Sequence, residues 1–130
     1  MKPLTVINII LLVILLGILG NEIYLRIMAK RAAKTIKEEE FKELMRKSQV
    51  IDVREKDAFD AGHILGARNL PYSMFKQTYE SLRKDQSILL YDQKKTMAIR
   101  AANILRKHGY QNIYILKGGY NDWTGKTKKK

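Results

Sequence analysis

The stretch "SILLYDQKKTMAIRAA" (residues 87–102) carries the decision about the fold. Its first five residues form a continuous apolar run, the pattern of a strand buried on both faces of a parallel sheet. From Met97 to His108, Ala98, Ala101, Ala102 and Leu105 recur at helical spacing. Arg106, Lys107 and His108 ahead of Gly109 then give that helix a good C-terminal stop. A strand passing through a short loop into a helix N-terminus is where an α/β protein keeps a nucleophile or an anion site. Here the tip of the loop is Asp92, followed by Gln93, Lys94 and Lys95, with no Cys, Ser or glycine-rich turn.

Working outward, the same alternation of short apolar runs and helical patterns extends in both directions. "EEEFKELMRK" (38–47) sets Phe41, Leu44 and Met45 on one helical face, with acids in the first turn and bases in the last. "QVIDV" (49–53) reads as a buried strand, Asp57 to Ala61 as one short helical turn, and "ARNLP" (67–71) as a brief strand stopped by Pro71. Phe75, Tyr79 and Leu82 predict a helix over 74–84, and "NIYIL" (112–116) a last strand before "GGYNDW". Strands alternating with helices predict a parallel α/β sheet with helices on both faces.

Residues 3–20 hold no charge and only Thr5 and Asn8 as polar side chains. At about 1.5 Å per residue the run is near the lower limit for crossing a hydrocarbon core of roughly 30 Å, and Ile23, Tyr24 and Leu25 extend it into the interface. A cleaved signal peptide needs small residues at −1 and −3. Gly20 has Ile18 at that upstream position and Gly17 has Leu15, so an uncleaved anchor is the better reading. A buried core helix is disfavoured because nothing else in so short a chain would cover an all-round apolar helix. Lys2 flanks one side; Arg26, Lys30, Arg31, Lys34 and Lys37 flank the other, which predicts a single-pass chain with its domain on the cytoplasmic side. The expected division is an anchor (3–25), a basic juxtamembrane linker (26–35), a folded domain (36–124) and a basic tail (125–130).

Charge placement supports that division. The chain carries a formal +12. Residues 38–125 hold 15 Lys/Arg against 12 Asp/Glu, whereas the flanks hold 10 basic residues and one acid, Glu22. The domain is nearly balanced, so no nucleic-acid face is expected on it. The basic linker and the tail lysines 126, 128, 129 and 130 are expected either to lean on anionic headgroups or to be merely solvated. Cysteine is absent, which removes disulfides, thiolate metal sites and thiol nucleophiles. His63 and His108 stand apart with no Cys/His/acid cluster at ligand spacing, so neither metal nor cofactor is expected.

"VIDVREKDAFDAGHILGARNLPY" (50–72) resembles the first signature of rhodanese-like domains. The matching pieces are a strand, Asp-x-Arg, an aromatic, then Gly-His-Ile-x-Gly-Ala-x-Asn-Leu-Pro. "GYQNIYILKGGYNDW" (109–123) resembles their closing strand and Gly-Gly-x-x-x-Trp element, and order and spacing match from Ile36 to Trp123. The resemblance implies a five-stranded parallel sheet flanked by helices, here preceded by the transmembrane helix. It also implies, commonly, transfer of sulfane sulfur through a Cys persulfide, with phosphatases and cysteine-free binding or regulatory modules among the relatives. Asp52 and Arg54 match the Asp-x-Arg pair, for which the expected role is a structural ion pair. Gly62, His63, Gly66, Ala67, Asn69 and Pro71 match the turn and third strand, with His63 expected as a packed, hydrogen-bonded turn residue.

The departures from the family pattern centre on one loop. Family enzymes follow the apolar strand with Cys, a glycine-containing loop, and Arg five residues later. This chain has Asp92 for the Cys, Lys95 for the Gly and Met97 for the Arg, and Ala58 where a Glu often precedes the aromatic. Residues Asp92, Gln93, Lys94, Lys95, Thr96 and Met97 therefore read as a vestigial active-site loop with no catalytic residue. An aspartyl-phosphate role for Asp92 would need Mg²⁺ and further acids, and the loop has no second acid. The expected role of Asp92 is electrostatic: a carboxylate filling the loop's anion seat at a helix N-terminus. The function that follows is a membrane-anchored, non-catalytic protein-binding or regulatory module, its partner unknown, with Lys94 and Lys95 offered to an acidic surface or simply solvated. The alternative is a sulfurtransferase that works only with a thiol supplied by a partner. A third, a lipid-surface or nucleic-acid binder, would rest on the basic flanks alone.

Overall fold

The computed structural model describes residues 2–129, with the backbone alone at 28–32. Twelve regular elements follow in order: α1 (Pro3–Ala32), β1 (Lys34–Ile36), α2 (Glu38–Leu44), β2 (Ser48–Asp52), α3 (Lys56–Ala61), β3 (His63–Ile64), β4 (Arg68–Asn69), α4 (Phe75–Thr78), β5 (Ser87–Tyr91), α5 (Thr96–Lys107), β6 (Ile113–Leu116) and β7 (Thr127–Lys128). Five strands form one parallel sheet in the order β1-β6-β5-β2-β4, and β3 pairs with β7 in a separate antiparallel ribbon.

The continuous apolar run of β5 is explained by its central place. Ile88 and Leu90 face one apolar cluster with Ile51, Val53, Phe75, Ala98, Ala101 and Leu105. Leu89 and Tyr91 face the other, with Ile36, Phe41, Val50, Ile64 and Leu116. The two-residue period of a strand sends neighbours to opposite faces, and both faces are covered. Each such fully buried side chain contributes about 1.5–3 kcal/mol by removal from water.

Capping closes α5 as its sequence requires. Gly109 takes φ +87°, and the Tyr110 N–H reaches back to the Leu105 carbonyl at 3.0 Å while the Gly109 N–H bonds Arg106 at 3.2 Å. This paired reversal needs a left-handed residue, which glycine supplies without a Cβ clash.

Three features depart from the expected pattern. The fifth strand is β1, a three-residue edge strand "KTI" in which only Ile36 turns inward; one inward residue leaves no periodicity to read. The helix expected over 74–84 shortens to Phe75–Thr78 between 3-10 turns, although Phe75 and Leu82 are buried. In the tail, Thr127 and Lys128 pair with Ile64 and His63 through backbone alone, their side chains exposed.

The helix α1 is the longest element. Its Pro3–Ile27 portion has mean hydropathy 2.6, is long and apolar enough to cross a membrane, and buries none of its most apolar window against the domain. Helix geometry continues through the basic segment to Ala32. Among the described residues of the helix, Leu25 is the exception to the exposure and is buried where α1 meets α5.

Candidate functional site

Register builds the site. Pairing of β2 with β5 sets Asp52 level with Tyr91, so Asp92 emerges beside the C-terminal end of β2. Asp92 is the last buried residue before an exposed turn and is only 5% exposed. Its Oδ2 accepts the Met97 N–H at 2.7 Å and the Ala98 N–H at 3.4 Å. Those are donors of the first turn of α5, which no intrahelical carbonyl can reach. The residue bordering the helix, Lys95, provides no side-chain cap. Asp92 supplies one from three residues further upstream.

The loop turns its carbonyls toward the turn after β6 and the Asp92 carboxylate toward the start of α5. The Asp92 and Gln93 carbonyls accept the Tyr120 and Asn121 N–H groups at 2.8 and 3.0 Å. Gly119 makes this possible. It has φ +61°, and a Cβ there would stand 2.6 Å from the Asp92 and Lys94 carbonyl oxygens. The Gly-Gly turn after β6 is thus the brace of the loop, which the sequence quoted as a family motif without revealing its partner.

The carboxylate of Asp92 is incompletely satisfied. Its Oδ1 is buried and has no hydrogen-bond partner. Burial pushes the group above its ordinary value of 3.8; the Met97 and Ala98 N–H groups work against this and the charge of Asp52 adds to it.

Beside it, Asp52 and Arg54 form a closed network. The Arg54 Nη2 donates to Asp52 Oδ2 at 2.8 Å, and Nε lies 3.1 Å from both carboxylate oxygens. The Arg54 N–H also donates to Asp52 Oδ1 at 2.8 Å. Nη2 further reaches the Gly62 carbonyl at 2.6 Å, and Nη1 reaches Gln93 Oε1 at 3.3 Å. The guanidinium lies 4.2 Å from the Tyr120 ring centroid. Burial opposes its charge, yet the Asp52 carboxylate outweighs that and raises the Arg54 pKa further. Asn69 Nδ2 binds the Asp52 and Arg54 carbonyls at 3.0 and 2.9 Å and ties β4 to the pair.

Other positions singled out in the sequence fall into place around this network. His63 is buried, stacks on Phe59 at 3.7 Å, and its Nδ1 lies 2.8 Å from the Phe59 carbonyl. Gly66 takes φ +93° in the turn between β3 and β4. His108 is exposed at the end of α5 with Nδ1 near the Ile104 carbonyl. Met97, where the family's arginine would be, packs its half-buried thioether against the main core. Lys94 and Lys95 are exposed. Among the described residues no three His, Cys, Asp or Glu side chains group as a metal site.

Two contributors, Tyr91 and Tyr120, were not singled out in the sequence as site residues, and Gln93, expected in the loop, has a bridging role that was not legible. Gln93 bridges Arg54 and Asn121, its Nε2 donating to Asn121 Oδ1 at 3.2 Å. Tyr120 covers the guanidinium. Tyr91 accepts the Ile64 N–H at 3.1 Å, and burial, then the charge of Asp52, pushes its hydroxyl far above the usual tyrosine range. Their one signal is the aromatic in "LLY" and "GGY"; the contacts themselves join residues far apart in the chain.

Such a sheet, a loop at the C-terminal end of its central strand, and a buried Asp-x-Arg pair beneath define a recognised class. A family model for the rhodanese-like domain matches residues 37–126, and the chain belongs to that family. It is 46% identical to an uncharacterized protein, YqhL, of Bacillus subtilis over 123 residues, covering 95% of this chain and 98% of that one. Centrosomal protein of 41 kDa B of Xenopus laevis is 33% identical over 79 residues, 54% of this chain but only 22% of that much longer protein. Among solved structures, the rhodanese-like domain of an Anabaena protein superposes with TM-score 0.66 at 26% identity, covering 73% of this chain and 78% of that one. The site of this rhodanese-like chain has no thiol, because the chain has no cysteine.

Proposed function

We propose that the chain is a membrane-anchored rhodanese-like module that transfers no sulfur and acts as a protein-binding or regulatory domain on the cytoplasmic face. One observation carries the reading: at the position of the family nucleophile, Asp92 holds the Met97 and Ala98 N–H groups with its own carboxylate. A persulfide forms on a thiolate and has no counterpart on a carboxylate. The donors that would stabilise an anionic sulfur are engaged by the protein itself, and the arginine of the site is spent on Asp52, Gly62 and Gln93. Support for the anchor comes from the length, hydropathy and exposure of α1, and for the sidedness from the basic residues that follow it.

A thiosulfate–cyanide sulfurtransferase assay on the purified chain tests the reading. No turnover above a heat-killed control is expected; turnover would revive the enzyme. Asp92→Cys combined with Lys95→Gly and Met97→Arg is expected to form a persulfide, since the surrounding scaffold is in place.

A further inference from the structure

A cleft of about 130 Å³ opens where α1 meets the domain, beside the candidate loop. Three cations line it from three separate elements: Arg26 from α1, Lys95 from the loop before α5, and Lys117 from the turn after β6. Leu25, Ile99 and Leu116 supply an apolar floor, and no carboxylate lines the cleft. Among the described residues none of the three cations has an ion-pair partner; the ion pairs of the domain are Lys42–Glu38, Arg54–Asp52, Lys56–Asp60 and Arg83–Asp85. Three unneutralised positive charges around one small opening repel each other, and an anion held among them removes that repulsion.

Position identifies the anion's source. Counting about 1.5 Å per residue from Pro3, Arg26 lies about 35 Å along α1, just beyond a hydrocarbon core of roughly 30 Å and therefore at headgroup depth. The cleft is small enough to suit a phosphate and its glycerol, whereas a folded protein surface would not enter it. Apolar walls beside a cationic mouth match the change from headgroup to acyl chain. We propose that this cleft is a headgroup site for an anionic phospholipid, which fixes the domain against the bilayer with the candidate loop facing the membrane. The proposal rests on the membrane-anchor reading above.

The test is lysine acetylation footprinting of the full chain in vesicles of phosphatidylcholine alone or mixed with phosphatidylglycerol. Labelling of Lys95 and Lys117 is expected to fall several-fold in the anionic vesicles. Lys94, which lines the neighbouring hollow, and Lys107, at the far end of α5, are expected to label equally in both. Arg26→Gln is expected to abolish the protection at Lys95 and Lys117. Equal labelling of these two lysines in both vesicles overturns the proposal, as does protection spread over Lys94 and Lys107, which would mean diffuse attraction. Protection by soluble glycerol phosphate, or by an acidic peptide, in neutral vesicles also overturns it in favour of those ligands. Alkaline carbonate extraction from neutral vesicles separates the two readings: release of the chain defeats the anchor, whereas retention there with no protection in the anionic vesicles defeats the lipid site alone.

Discussion

Asp52 and Asp92 sit side by side at the ends of two neighbouring parallel strands, both buried, and they are treated very differently. Asp52 has a guanidinium across both oxygens, a backbone N–H from Arg54, and Asn69 holding the Asp52 and Arg54 carbonyls. Asp92 has two helix N–H groups on one oxygen and nothing on the other. A closed ion pair is what a scaffold needs. On the function proposed above, the half-satisfied carboxylate is a residue standing in a seat that suits another group. Buried polar atoms in native proteins are nearly always paired, so an orphan such as Asp92 Oδ1 calls for an explanation, and the function proposed above, in which Asp92 stands where the family nucleophile would be, offers one.

The largest expected effect lies on the scaffold side. Arg54→Ala leaves Asp52 buried without its counter-charge and is expected to cost about 3–5 kcal/mol in urea unfolding. A loss no greater than that of an Asp92 variant would erase the distinction between the two aspartates. Gly119→Ala comes next. It forces a side chain into φ +61° and drives a Cβ against the loop carbonyls, with about 1–3 kcal/mol expected from backbone strain alone. Thermal unfolding gives the size, and displaced amide signals over 92–94 would show that the loop has moved.

On the Asp92 side, removing the cap is expected to cost about 1 kcal/mol: Asp92→Ala should be less stable than Asp92→Asn by that amount. Asn keeps an oxygen for the Met97 N–H, so equal stabilities would mean the hydrogen bond contributes nothing. The smallest effect is in pH. Because the folded-state pKa of Asp92 is raised above 3.8, the folded chain retains a proton that the unfolded chain has already lost. Stability from this group is therefore present at low pH and declines as pH rises through the folded pKa. The stability of Asp92→Asn relative to the native chain should grow over the same window, and a flat difference would contradict the assigned burial.

How much of this was readable beforehand follows from distance along the chain. The apolar β5, the α5 stop at Gly109 and the Asp-x-Arg pair are local patterns, and each names its own role. Asp92 was legible because the family resemblance fixes its place in the loop. The strand β1 escaped because only Ile36 faces inward, and β7 because its pairing with His63 and Ile64 uses no side chain. Gln93 as a bridge, Tyr120 over Arg54, and the Oδ1 orphan depend on bringing residues 52–54, 91–93 and 119–121 together. No local pattern encodes such a meeting.

Central to the account is that the loop's anion seat is already taken. The most direct measurement is the response of the Met97 and Ala98 amide resonances to added thiosulfate, for the full chain in nanodiscs and for its Asp92→Ala variant. The native chain should show no saturable shift at these two amides, and the variant should show one. Saturable shifts in the native chain would contradict the account, because they would mean the seat is open while Asp92 is present.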